Sequence, residues 1–108
     1  MPHNLSVSFV LPCLNEEATL SYVLAKIVKV SQEALSGYPT EIILSDNGST
    51  DRSREIAQSF GVRVVNCPIK GYGAALKYGI SKATHQVIVF ADADDTYDFS
   101  ESPSLIHE

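Results

Sequence analysis

The stretch VIVFADADDTYDF, Val87 to Phe99, runs five apolar residues straight into Asp92, Asp94, Asp95 and Asp98. Two carboxylates about 4 Å apart repel by roughly 4 kcal/mol at an effective dielectric near 20. Such a cluster is tolerated when it spreads into solvent or is bridged by a cation. Asp-x-Asp at a strand end offers hard oxygen ligands that suit Mg²⁺ or Mn²⁺, ions that keep open positions for substrate phosphates. A solvated acidic turn that simply ends a strand is the alternative on spacing alone. An EF-hand loop fails, because Tyr97 and Pro103 stand where its glycine and bidentate Glu belong.

Three other segments carry polar groups with possible chemistry. LNEEATL, from Leu14, holds Asn15, Glu16 and Glu17, and its acids would also favour a helix N-terminus. DNGSTD, Asp46 to Asp51, reads as a turn whose Ser49, Thr50 or Asp51 caps the next helix. Asn47 in that turn offers a donor and an acceptor, the pair needed to read a nucleobase edge. KGYGAAL, from Lys70, sets a cation before two glycines and a helix start, so backbone N–H groups there could face an anion. Close packing of helix on sheet explains the same glycines.

These segments need elements to hold them. Ser6–Pro12, Glu41–Ser45, Val62–Pro68 and Gln86–Ala91 read as four short strands. Leu20, Val23, Leu24, Ile27 and Val28 recur at helical spacing and form one apolar face. A second helix is predicted from Arg52 to Phe60, stopped by Gly61. A third is expected to run its apolar side through Tyr72, Leu76, Ile80 and Ala83. The order β-α-β-α-β-α-β predicts an α/β fold with a parallel sheet and right-handed crossovers, a Rossmann-like nucleotide-binding half. The unbroken apolar character of VIVF predicts a central strand buried on both faces. In such sheets ligands bind beyond the carboxyl ends of the strands, where all four polar segments fall.

Composition narrows the classes. The chain has 108 residues, 44% of them hydrophobic and 19% charged, which fits one small domain with a packed core. A net charge of −5 with scattered Lys and Arg excludes a phosphate-neutralising surface, so no nucleic-acid partner is expected. Cys13 and Cys67, the only cysteines, lack metal-site spacing and are expected to be free thiols in a reducing compartment. His3, His85 and His107 have no partners at ligand spacing. No secretory signal and no run long enough to span a bilayer is present, which gives a cytoplasmic expectation for the segment. The break-off after SESPSLIHE suggests that 1–108 is part of a larger fold, whose remaining segments could place it at the cytoplasmic face of a membrane.

Taken in order, VSFVLPCLNEEATL, EIILSDNGSTDRSREIA, GVRVV, KGYGAALKYGI and VIVFADADDTYDF resemble the family-2 glycosyltransferases of the GT-A fold. The similarity is greatest to the polyprenyl-phosphate and dolichyl-phosphate mannosyl- and glucosyltransferases. The resemblance implies a UDP- or GDP-linked sugar donor, a Mg²⁺ or Mn²⁺ cofactor, and a lipid phosphate or sugar hydroxyl as acceptor. It implies that Pro12, Leu14 and Glu16 line the nucleoside pocket, that Asp46 and Asn47 contact the base, and that Asp92 and Asp94 hold the metal, Asp92 also lying at the nucleotide. The family commonly has a second Asp where this chain has Asn47, and an aromatic where it has Leu14. The implied reaction is inverting transfer, with the general base and acceptor site beyond this segment, so that no catalytic residue is assigned. A non-catalytic nucleotide-binding module is the alternative. A dinucleotide-binding dehydrogenase lacks support, since no G-x-G-x-x-G follows the first strand. A sugar nucleotidyltransferase would show a glycine-rich loop there, and a phosphoacceptor receiver an acidic pair.

Overall fold

The computed structural model describes residues 6–35, 37–85 and 87–90. The elements alternate as expected: β1 (Val7–Cys13), α1 (Glu17–Glu33), β2 (Thr40–Asp46), α2 (Ser53–Ser59), β3 (Arg63–Asn66), α3 (Tyr72–Lys82) and β4 (Val87–Phe90). The described strands form one parallel sheet in the order β3-β2-β1-β4.

Pleating sends alternate residues of β1 to opposite faces. Val7, Phe9, Leu11 and Cys13 join Leu20, Val23, Leu24 and Ile27 of α1, Leu44 of β2 and Ala57 of α2 in one buried cluster. Burying each Leu, Ile, Val or Phe there contributes about 1.5–3 kcal/mol. Val10 and Ser45 turn to the other face and meet α3, where a Cβ added to Gly79 would lie 2.6 Å from Val10 Cγ1. Gly79 is thus the glycine that close helix–sheet packing requires, whereas Gly71 and Gly73 face open space.

Two expectations about burial are corrected. VIVF is a flank of the described sheet: β4 pairs with β1 alone among the described strands, and Phe90 is half exposed. The strand buried along its whole length is β1, which has neighbours on both sides. In α3, Tyr72 is exposed, and Ala75 and Gly79 face the sheet, because only small residues admit the close approach at Val10. Gly61 ends α2 with φ 76°, the left-handed stop anticipated for it. Both cysteines are free thiols. No helix among the described residues is long and apolar enough to cross a membrane.

Candidate active site

Strand order reverses between β1 and β4, since β2 and β3 extend from one side of β1 and β4 lies on the other. That reversal creates the crevice in which open α/β sheets bind ligands. β1 runs three residues, Leu11 to Cys13, past its last described pair with β4, Val10 and Phe90. Pro12 is buried there. Odd-numbered residues of β1 bond toward β2, as the Val7 N–H to Pro39 and the Asn47 N–H to Cys13 carbonyl show. Pro12 therefore faces the β4 flank beyond the last described pair, and its missing N–H costs no described ladder bond.

The loop after β1 and the loop after β2 cap one another. Asn15, in the left-handed region at φ 53°, accepts the Thr50 and Asp51 N–H groups on its side-chain oxygen at 2.8 and 3.2 Å. Its own N–H donates to Ser49 Oγ at 2.9 Å. The Glu16 N–H donates to Ser53 Oγ, and the Glu17 N–H to Asp51 Oδ2. In return, Glu17 Oε1 accepts the Arg52 N–H at 2.8 Å. Each loop thus satisfies N–H groups at or just before the start of the other's helix. Asp51 also accepts the Ser53 N–H, which realises locally the capping expected of this turn. Burial would raise the Asp51 pKa, but the Ser53 bonds and the Glu17 N–H outweigh it and hold the carboxyl below its ordinary 3.8.

Asp46 and Asn47 turn inward. Asp46 is 1% exposed, and its carboxylate accepts the Gly48 and Ser49 N–H groups and the Ser49 hydroxyl. Arg54 Nε stands 4.0 Å from it. The Asn47 amide donates to the Ile69 carbonyl, and its oxygen accepts the Gly71 N–H, both at 2.8 Å. Gly48, with φ 99°, leaves the turn open to the Lys70 ammonium, which would lie 3.8 Å from a Cβ placed there. Leu14 is 47% exposed at the same rim, and Glu16 is half-buried. Cys13 beneath them is chemically quiet: burial lifts its thiol to about 11.

The rim therefore brings together Pro12, Leu14, Glu16, Asp46 and Asn47, together with Lys70. Asp92 and Asp94 lie outside the described residues. Among the described residues no three His, Cys, Asp or Glu side chains gather as metal ligands. The role of Asn15 was not legible beforehand, because its partners stand 35 and 36 residues downstream.

Comparison with known proteins decides the family. The model of glycosyl transferase family 2 matches residues 8–108. The chain belongs to that family. It is 39% identical over 103 residues to an uncharacterized glycosyltransferase of Mycobacterium tuberculosis, covering 95% of this chain and 43% of the relative. It is 32% identical over 100 residues to the dolichyl-phosphate hexose transferase of Haloferax volcanii, covering 93% of this chain and 41% of the relative. Among solved structures it is similar to the glucosyl-3-phosphoglycerate synthase of M. tuberculosis in complex with Mn²⁺, UDP and glucosyl-3-phosphoglycerate. That match has a TM-score of 0.71 at 33% identity, over 82% of this chain and 33% of the other. The chain thus spans less than half the length of each of these glycosyltransferases. Its four described parallel strands with alternating helices match the Rossmann-like half of the GT-A fold implied by the resemblance.

Proposed function

We propose that this segment binds the donor of a metal-dependent, inverting glycosyltransferase that takes a UDP- or GDP-linked sugar and delivers it to a polyprenyl or dolichyl phosphate. The observation that carries the reading is the strand order: the Asp92-x-Asp94 pair follows the strand that flanks the reversal crevice. Solved relatives support the donor class, since one carries Mn²⁺ and UDP. The name of the Haloferax relative supports the acceptor class.

In this reading Pro12, Leu14 and Glu16 line the nucleoside, and the capped rim loops hold them in place. Asp92 and Asp94 would hold the divalent ion, which neutralises charge on the leaving diphosphate. A phosphate acceptor is already ionised at neutral pH, so the chain need not supply a base to deprotonate it.

Thermal melts with UDP, GDP, CDP and ADP, each with and without Mn²⁺, test the reading. Ligand that binds only the folded state adds about 2.7 kcal/mol at a concentration of 100 Kd. UDP or GDP with Mn²⁺ is expected to raise the Tm, and Asp94→Ala to abolish the metal-dependent part. No shift with any nucleotide contradicts it. For the acceptor, a glycosyltransferase that carries this segment should move sugar to a dolichyl phosphate in vitro, and failure with every lipid phosphate would remove that part.

A further inference from the structure

We infer that the β3 edge of the described sheet is a docking surface for an anionic bilayer. The loop after β3 and the outer side of α3 border an open cavity of about 560 Å³, lined by Cys67, Ile69, Gly73, Ala74, Lys77 and Tyr78. Ile69 is 67% exposed, and Tyr72, next to the cavity wall, is 60% exposed. Exposed apolar side chains gathered in one place mark protein or membrane contacts. β3 pairs with β2 alone among the described strands, so the patch stands at the edge opposite β4. β2 and β1 separate it from the reversal crevice, which makes it a surface apart from the metal and diphosphate region proposed above.

Charge selects among partners. Gly61 to His85 carries Arg63, Lys70, Lys77 and Lys82, half of the chain's eight cations, and none of its thirteen acids. Arg63 turns to Glu41 at the amino end of the sheet. The other three stay with the patch. Lys70 follows Ile69, Lys77 lines the cavity, and the Lys82 ammonium lies 5.2 Å from the ring centre of Tyr78 in the cavity wall. Scattered along the sequence, these lysines meet at one edge in the fold. Lysine stems lie along apolar surface while their ammonium groups reach headgroups, and tyrosine seats its ring at a membrane–water interface. Three lysines are too few to neutralise a duplex, but each raises partitioning onto an anionic leaflet about fivefold. An acidic peptide would satisfy the lysines alone. The bilayer is favoured because large apolar side chains stand exposed among them, and that choice rests on the lipid-phosphate acceptor proposed above.

Flotation of the chain with vesicles of phosphatidylcholine alone, and of equimolar phosphatidylcholine and phosphatidylglycerol, tests this. The wild type is expected to float with the mixed vesicles at low salt and to stay in solution with phosphatidylcholine alone or at high salt. Lys77→Gln/Lys82→Gln should lower the partition coefficient on the order of twentyfold, and Ile69→Ser about fivefold. Lys26→Gln/Lys29→Gln removes the same charge from α1, on the other face of the sheet, and should leave partitioning at the wild-type value. All variants should keep the wild-type melting temperature. No flotation of the wild type with mixed vesicles, or an equal loss in the α1 variant, would overturn the inference. Loss in the lysine variant with none in Ile69→Ser would assign the edge to a soluble acidic partner and overturn it too. So would a dimer, seen by sedimentation, that the same substitutions dissolve while vesicle binding is absent. The two readings fail separately. Flotation without sugar transfer to any lipid phosphate would remove the acceptor reading alone, and transfer without flotation would remove this inference alone.

Discussion

The two ends of the sheet are both locked by polar side chains, but in different ways. At the amino end one carboxylate does the work. Glu41 accepts the Ser8 hydroxyl at 2.6 Å and both the N–H and the hydroxyl of Thr84, with Arg63 3.8 Å away. This single hub ties β1 and β2 to the segment between α3 and β4, and Arg63 adds a bond to the Lys82 carbonyl at the end of α3. At the carboxyl end Asn15 accepts two N–H groups, and the remaining bonds are spread over the residues of two loops. Asn15, Glu17, Ser49, Asp51 and Ser53 exchange bonds between the two loops. The first arrangement closes on itself, whereas the second leaves Leu14 and Lys70 exposed above a fixed backbone. One end holds the fold together; the other holds a surface still.

Removing each hub should expose that difference. Glu41→Gln is expected to give the largest loss of stability, about 2–3 kcal/mol by urea denaturation, because it weakens charge-assisted bonds and disturbs the buried Ser8 hydroxyl. Its nucleotide affinity should be that of the wild type. Asn15→Gly keeps the backbone freedom that φ 53° demands but deletes the acceptor for Thr50 and Asp51. It should lower stability by about 1 kcal/mol, as loss of a helix cap does, and raise amide exchange at Thr50 and Asp51. It should also weaken UDP binding. Asn15→Asp, which retains an acceptor oxygen, should restore both. Equal effects of the two hubs on UDP binding would erase the distinction drawn here.

Acid should act on the amino end. Burial alone would raise the Glu41 pKa, but the bonds from Ser8 and Thr84 and the charge of His85 outweigh it, so the folded value lies below the ordinary 4.5. A depressed carboxyl contributes stability above its unfolded pKa and loses it as pH falls through the folded one. Stability should therefore decline below about pH 4.5, and Glu41→Gln should show a shallower decline than the wild type. The smallest effect is expected between the two ends. Ser45 Oγ is fully buried under Gly79, with no hydrogen-bond partner among the described residues. Ser45→Ala should be neutral or stabilising by roughly 0.5 kcal/mol, since it removes an unsatisfied hydroxyl.

Much of this was legible in the chain. Apolar spacing located seven elements and the parallel class, because helix and strand periods are local properties. Strand order is not local. VIVF reads as central from its composition, yet it pairs on one described side only, and nothing in four apolar residues says how many neighbours they have. The buried face of α3 departs from its apolar spacing for a related reason: a helix lying close to a sheet buries its smallest residues, Ala75 and Gly79. The capping of α2 was expected from Ser49, Thr50 or Asp51. Asp51 does contribute, but Asn15 and Glu17 supply the rest from across the chain. The acids of LNEEATL stand where they favour their own helix dipole, yet Glu17 also serves the neighbouring loop.

Chemical-shift mapping with UDP and Mg²⁺ tests the division between the two ends most directly. Amides of Leu14–Glu17, Asp46–Ser49 and Ile69–Gly71 should move, while those of Ser8, Glu41 and Thr84 stay still. Shifts centred on the amino end, or none at all at saturating UDP, would contradict the account.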